Sequence, residues 1–93
     1  MTESDVIRTV ACSIDKIRKA LIKRNSYLKG ISSEVMTSHD VIDIILTESG
    51  SMRSFMGSAL AAGISKDFIA IEMRMFNEHC VTAEQSLKSR EDV

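Results

Sequence analysis

Residues 3–29, ESDVIRTVACSIDKIRKALIKRNSYLK, decide the fold. Apolar side chains recur there in steps of three and four, at Ile7, Val10, Ile14, Ile17, Leu21 and Leu28, and Arg24 interrupts the series. That period is the signature of an α-helix with one apolar stripe. In heptad terms Ile7, Ile14, Leu21 and Leu28 take position a, and Val10 and Ile17 position d, as in a coiled-coil or bundle seam. Thr2 or Ser4 supplies a cap. Glu3 and Asp5 set negative charge at the positive end of the helix dipole, and Gly30 supplies a stop. The result is a rod of ~39 Å that the rest of the chain must cover.

Beyond the connection at 30–37, Val41, Ile42, Ile44, Ile45 and Leu46 spread over a broad arc, which describes a nearly buried helix at 38–48. Thr37 and Asp40 stand at capping-box spacing in front of it. Gly50 followed by Ser51 reads as a break and a new cap. Met52, Phe55, Met56, Ala59 and Leu60 then share one face of a helix at 51–62, backed by Ser54, Gly57, Ser58 and Ala61. Gly63 stops it. A last helix at 66–88 carries Ile69, Met73, Phe76, Cys80, Ala83 and Leu87 on one stripe, and Phe68, Ile71 and Met75 on a second.

The expected fold is therefore all-α: a single helical-bundle-like domain over 1–93, with helices roughly at 4–29, 38–48, 51–62 and 66–88. Two long amphipathic helices flank a short helical hairpin. The absence of proline and the presence of only four glycines agree. Ile7, Val10, Ile14, Ile17, Leu21 and Leu28, with Ile69, Met73 and Phe76, form the core or dimer seam. Two short helices cannot cover so much apolar surface, so a homodimer through the first or last helix is expected.

Two polar residues break the apolar faces. Arg24 occupies a d position, and Glu72 falls between Phe68 and Phe76 on the wheel. If the first and last helices pack antiparallel, the two lie at similar heights and pair as a buried register-fixing ion pair. The competing reading is that each reaches water by snorkelling.

The net charge of −1 hides an asymmetry. Residues 1–30 carry seven basic and three acidic side chains, net +4, whereas residues 31–93 carry five basic and ten acidic ones, net −5. The two halves attract one another, within a chain or across a dimer. Alternatively, Lys16, Lys19 and Lys23 offer a basic side to nucleic acid or an acidic partner. Residues 45–61 have a helix-turn-helix outline, but Arg53 is their lone base-reading cation, and Asp40, Asp43 and Glu48 nearby repel phosphate.

Groups for catalysis are few. His39 and His79 belong to different helices, and His79 and Cys80, being adjacent, point about 100° apart. No Cys-x-x-Cys, His-Glu-x-x-His, Gly-x-Ser-x-Gly or phosphate-cradling glycine loop is present. No enzyme activity, metal or cofactor is expected. Cys12 lies opposite the seam beside Lys16 and Lys19, and is either covered by a neighbour or exposed. No signal-like segment, lipidation motif or membrane-length apolar run is visible, so a cytoplasmic protein with reduced thiols and no membrane contact is expected. The expected function is a small non-enzymatic protein–protein interaction protein (a regulator, adaptor or chaperone) acting through helical surfaces. The alternative is a nucleic-acid-binding transcriptional regulator that uses the basic side of the first helix.

Overall fold

The chain is all-α. A computed structural model describes residues 1–91, with side chains through Lys88. Three helices follow in order: α1 (Glu3–Leu28), α2 (Ser38–Ala61) and α3 (Lys66–Glu91). They pack side by side into a rod with extents of 47 × 22 × 17 Å. Its radius of gyration, 15.0 Å, exceeds the ~12 Å of a compact domain of this length.

The sequence dictates where α1 and α2 begin and end. Thr2 and Thr37 are N-caps in full capping boxes. Each threonine hydroxyl accepts from the backbone N–H of Asp5 or Asp40, and that aspartate accepts from the threonine N–H in return. These bonds hold both aspartates below their ordinary pKa. The stability they give is present above about pH 4 and is lost as pH falls through the depressed folded-state values. Gly30 (φ 75°) and Gly63 (φ 94°) close the two helices. In each case the glycine N–H bonds the carbonyl three residues back (Tyr27, Leu60), and the next N–H, from Ile31 or Ile64, reaches five back to Ser26 or Ala59. This is the paired-bond ending that a left-handed residue allows.

One expected break is absent. The helices expected at 38–48 and 51–62 are a single helix, and Gly50 sits within it at an ordinary helical φ. Glycine costs a helix about 1 kcal/mol relative to alanine, and burial on both sides outweighs that. Val41, Ile45, Met52, Met56 and Ala59 form one buried stripe that passes Gly50 without losing its three-four step. There is consequently no hairpin between the long helices, and the turn at Gly50 on which the helix-turn-helix outline of residues 45–61 rested is absent.

Three helices instead of four change the direction of packing. Ser13 meets Glu48 and Arg24 meets Ser38, so α1 and α2 run antiparallel. Ser49 meets Cys80, so α2 and α3 do too. It follows that α1 and α3 run parallel. Their shared groove agrees: Ile7 to Arg18 line one stretch of it with Glu72, Met75 and His79, and Ile14 to Leu21 line the next with His79, Thr82 and Ala83.

The buried face of α1 is Val6, Val10, Ser13, Ile17, Ala20 and Arg24. The seam expected from the sequence is rotated from it. Val10 and Ile17 are buried and Ile14 and Leu21 half-buried, but Ile7 (51% exposed) and Leu28 (55%) lie outside. On α3 Phe76, Cys80, Ala83 and Leu87 are buried, and Ile69 and Met73 pack against them from the edge. The second stripe does not find cover on both sides: Phe68 is half-buried, whereas Ile71 and Met75 are exposed.

Two glycine substitutions separate these assignments. A Cβ at Gly50 meets nothing within 4 Å, so Gly50→Ala is expected to raise stability by about 1 kcal/mol in urea denaturation. Gly63→Ala, forced to keep its left-handed φ, is expected to lower it by about 1 kcal/mol or more. No gain at Gly50 would return that residue to a turn.

Candidate functional site

Among the described residues three polar side chains, Ser13, Arg24 and Glu72, intrude into the helix interfaces, and a long groove follows the α1/α3 junction. The first intrusion joins α1 to α2 at mid-height. Ser13, buried, donates to Glu48 Oε1 at 2.7 Å, and Lys16 Nζ stands 3.9 Å from the same oxygen. On the other side of α2, Ser49 Oγ lies 3.9 Å from the Cys80 sulfur. Burial raises the pKa of that thiol, only partly offset by the serine, so Cys80 is an unreactive core residue. Cys12 is exposed on the outer side of α1, above a shallow depression shared with Thr9, Lys16, Glu48 and Phe55.

The second intrusion is Arg24, which is 2% exposed. Its Nε donates to Ser38 Oγ at 2.8 Å, and its Nη1 has no partner. The expected pair with Glu72 does not form among the described residues. Glu72 is also buried, 6% exposed, but its Oε2 is unpartnered too. The reason is the parallel packing of α1 and α3. Glu72, near the start of α3, borders the stretch of α1 from Ile7 to Arg18, short of the level of Arg24.

The lysines of the basic side are engaged within the chain. Lys16 approaches Glu48, Lys19 binds Asp15 at 2.9 Å, and Lys23 stands 3.7 Å from Glu34. The Asp15 carboxylate raises the pKa of Lys19. All three ammonium groups remain exposed, with carboxylates beside them. His39 lies 3.7 Å from Asp43 on the outer face of α2, far from the groove that His79 lines. Among the described residues no three of His, Cys, Asp and Glu are grouped to hold a metal ion, and no helix is long and apolar enough to cross a membrane.

The groove runs along the α1/α3 junction. One wall is Ile7, Ala11, Ile14, Arg18 and Leu21, and the other is Met75, His79, Thr82 and Ala83. Glu72 forms part of the floor. Ile71, 58% exposed, stands one turn before Met75 on α3. The sequence signal for this surface lies in the residues that the seam and the second α3 stripe share out. Ile7, Ile14 and Leu21 were assigned to the seam, and Met75 to the stripe that demanded a second neighbour. Half-covered apolar side chains here gather beside a buried, unpaired carboxyl, which makes this junction the candidate site among the described residues.

A double-mutant cycle tests the separation of the two buried charges. Arg24→Met and Glu72→Leu are expected to be additive within about 0.5 kcal/mol, whereas Arg24→Met and Ser38→Ala are expected to couple. Against family models, curated proteins and solved structures, the chain has no match, so the site is read from its own geometry.

Proposed function

We propose that this chain is a non-enzymatic protein-interaction module, a regulator, adaptor or chaperone in kind, that docks helical partners in the α1/α3 groove, a second copy of itself among them. The observation that carries this reading is the groove, where Ile7 and Met75 remain about half exposed beside the buried carboxyl of Glu72. Two parallel helices with an apolar channel between them offer a helix-in-groove seat, in which a third helix buries its apolar stripe. Scattered exposed apolar residues are ordinary on any protein. A contiguous row along one junction is not, because soluble monomers seldom expose extended apolar patches. A location in the cytoplasm, as expected from the sequence, fits a protein whose two thiols are both free.

Nucleic-acid binding by the basic side of α1 has less support. Lys16, Lys19 and Lys23 each stand beside a carboxylate of the same chain, which lowers the local potential that a phosphate backbone would meet.

A photo-crosslinking side chain at Met75, in the groove, is compared in cells with one at Ser54, on the exposed back of α2. Polypeptide adducts are expected from Met75 and not from Ser54. Equal yields, or none, contradict a docking groove. In a parallel titration with duplex DNA at low salt, weak or absent binding is expected. Tight binding that falls steeply with added salt would favour the nucleic-acid reading instead.

A further inference from the structure

We propose that the occupant of the groove is α1 of a second copy, laid antiparallel on α1 about a two-fold axis near Ile14, with Arg18 of each copy answering Glu72 of the other. The inference rests on reading the groove as a protein-binding surface, and it names the partner.

Three observations point to a second copy. The first is charge. Glu72 is 94% buried, lines the groove, and pairs with no cation of its own chain among the described residues. A largely buried carboxylate without a counter-charge costs free energy that a matching cation at the groove recovers. Arg18 is exposed, lies within the apolar row of α1, and makes no ion pair among the described residues. A guanidinium with an apolar stem suits such a seat better than an ammonium, being less strongly hydrated and able to grip a carboxylate with two N–H groups.

The second is register. A two-fold interface requires a patch that complements itself. Glu72 shares the stretch of groove lined by Ile7 to Arg18, and the pairing sets it opposite Ala11, seven residues (~10 Å) before Arg18. The midpoint of those two levels is Ile14, half-buried and apolar. A two-fold axis there sets Arg18 of each copy over Ala11 and Glu72 of the other, where the small alanine leaves room. The same operation sets Ile7 against Ile22, which are 51% and 57% exposed. On the helical wheel Ile7, Ala11, Ile14, Arg18 and Ile22 fall within one arc of about 80°. Ile22, off the seam and uncovered in one chain, thereby gains a contact. Asp15, the acidic residue nearest the axis, is already held by Lys19 at 2.9 Å and does not compete for Arg18.

The third is area. The chain exposes 6083 Å², whereas a compact monomer of 10.3 kDa exposes about 5,400 Å². The excess, about 700 Å², is the surface of a rod of 47 × 22 × 17 Å, which leaves each chain area to spare for the ~800 Å² per partner of a standard-size interface.

Charge exchange tests the pairing. Sedimentation equilibrium at tens of micromolar is expected to find the wild-type chain as a dimer. Arg18→Glu, at an exposed position, is expected to weaken dimerisation by about tenfold or more with an unchanged helical circular-dichroism spectrum. Glu72→Lys alone is expected to weaken it similarly. An equimolar mixture of the two variants is expected to recover the dimer, because each mixed pair then brings together opposite charges at both contacts. A dimer that Arg18→Glu leaves unchanged overturns the proposal, whether or not Glu72→Lys folds. So does a monomeric wild type. If the wild type is monomeric while the crosslinker at Met75 captures a different protein, this inference falls and the protein-interaction reading stands. If it is monomeric and nothing is captured, both fall.

Discussion

The continuity of α2 through Gly50 is the constraint on which the rest of the structure depends. A break there would give four helices, and the first and last would then run antiparallel. An unbroken helix gives three, and α1 and α3 run parallel. Everything distinctive about the surface follows from that count. Arg24 and Glu72, which antiparallel packing would bring together, are set at different levels of the rod. Arg24 finds Ser38 near the start of α2. Glu72 finds no partner and faces the groove. The apolar stripe of α3 that a fourth helix would cover is left with Ile71 and Met75 exposed.

The energetic balance at Gly50 is local cost against tertiary burial. Glycine disfavours a helix by about 1 kcal/mol, whereas each fully buried side chain of the size of Met52 or Val41 contributes about 1.5–3 kcal/mol. Buried residues lie on both sides of the glycine in the same stripe, so a helix that stopped there would have to restart in the same direction to bury them. The core this produces is thin. Several of its buried positions are Ala20, Ala59, Ala83 and Cys80, and small side chains bring the helix axes close while leaving flanking rows such as Ile7 and Met75 half covered. A narrow interior and an apolar rim are two consequences of one packing choice.

Much of this was legible in the residues. The fold class, the extent of α1, the Thr37–Asp40 capping box and the stops at Gly30 and Gly63 all follow from local chemistry, which acts over a few residues and leaves a clear mark. Gly50 was misleading because a glycine punctuates a chain or is overridden according to burial that only tertiary structure supplies. The unbroken three-four step from Val41 to Ala59 was the signal that could have decided it. The rotation of the α1 seam has a similar origin. Val6, Ser13 and Ala20 are the buried residues, but Ile7, Ile14 and Leu21 beside them are larger and more apolar, so the hydrophobic pattern points at the flank. The groove lay hidden in that same ambiguity: α1 has two apolar rows, and one sequence period cannot say which faces inward.

The parallel arrangement of α1 and α3 is most directly tested by a distance. Spin labels are placed at Ser4 and Lys66, with Cys12 replaced by serine and Cys80 by alanine, and the labelled chain is diluted into unlabelled chain so that only distances within one copy are read. Pulsed electron resonance is predicted to give a separation of about 20 Å or less, since the N-terminal ends of the two helices stand side by side at a bundle spacing of ~10 Å. A separation beyond about 30 Å, toward the ~39 Å length of α3, would mean that the start of α1 meets the end of α3. It would contradict the three-helix account, and with it the isolation of Glu72.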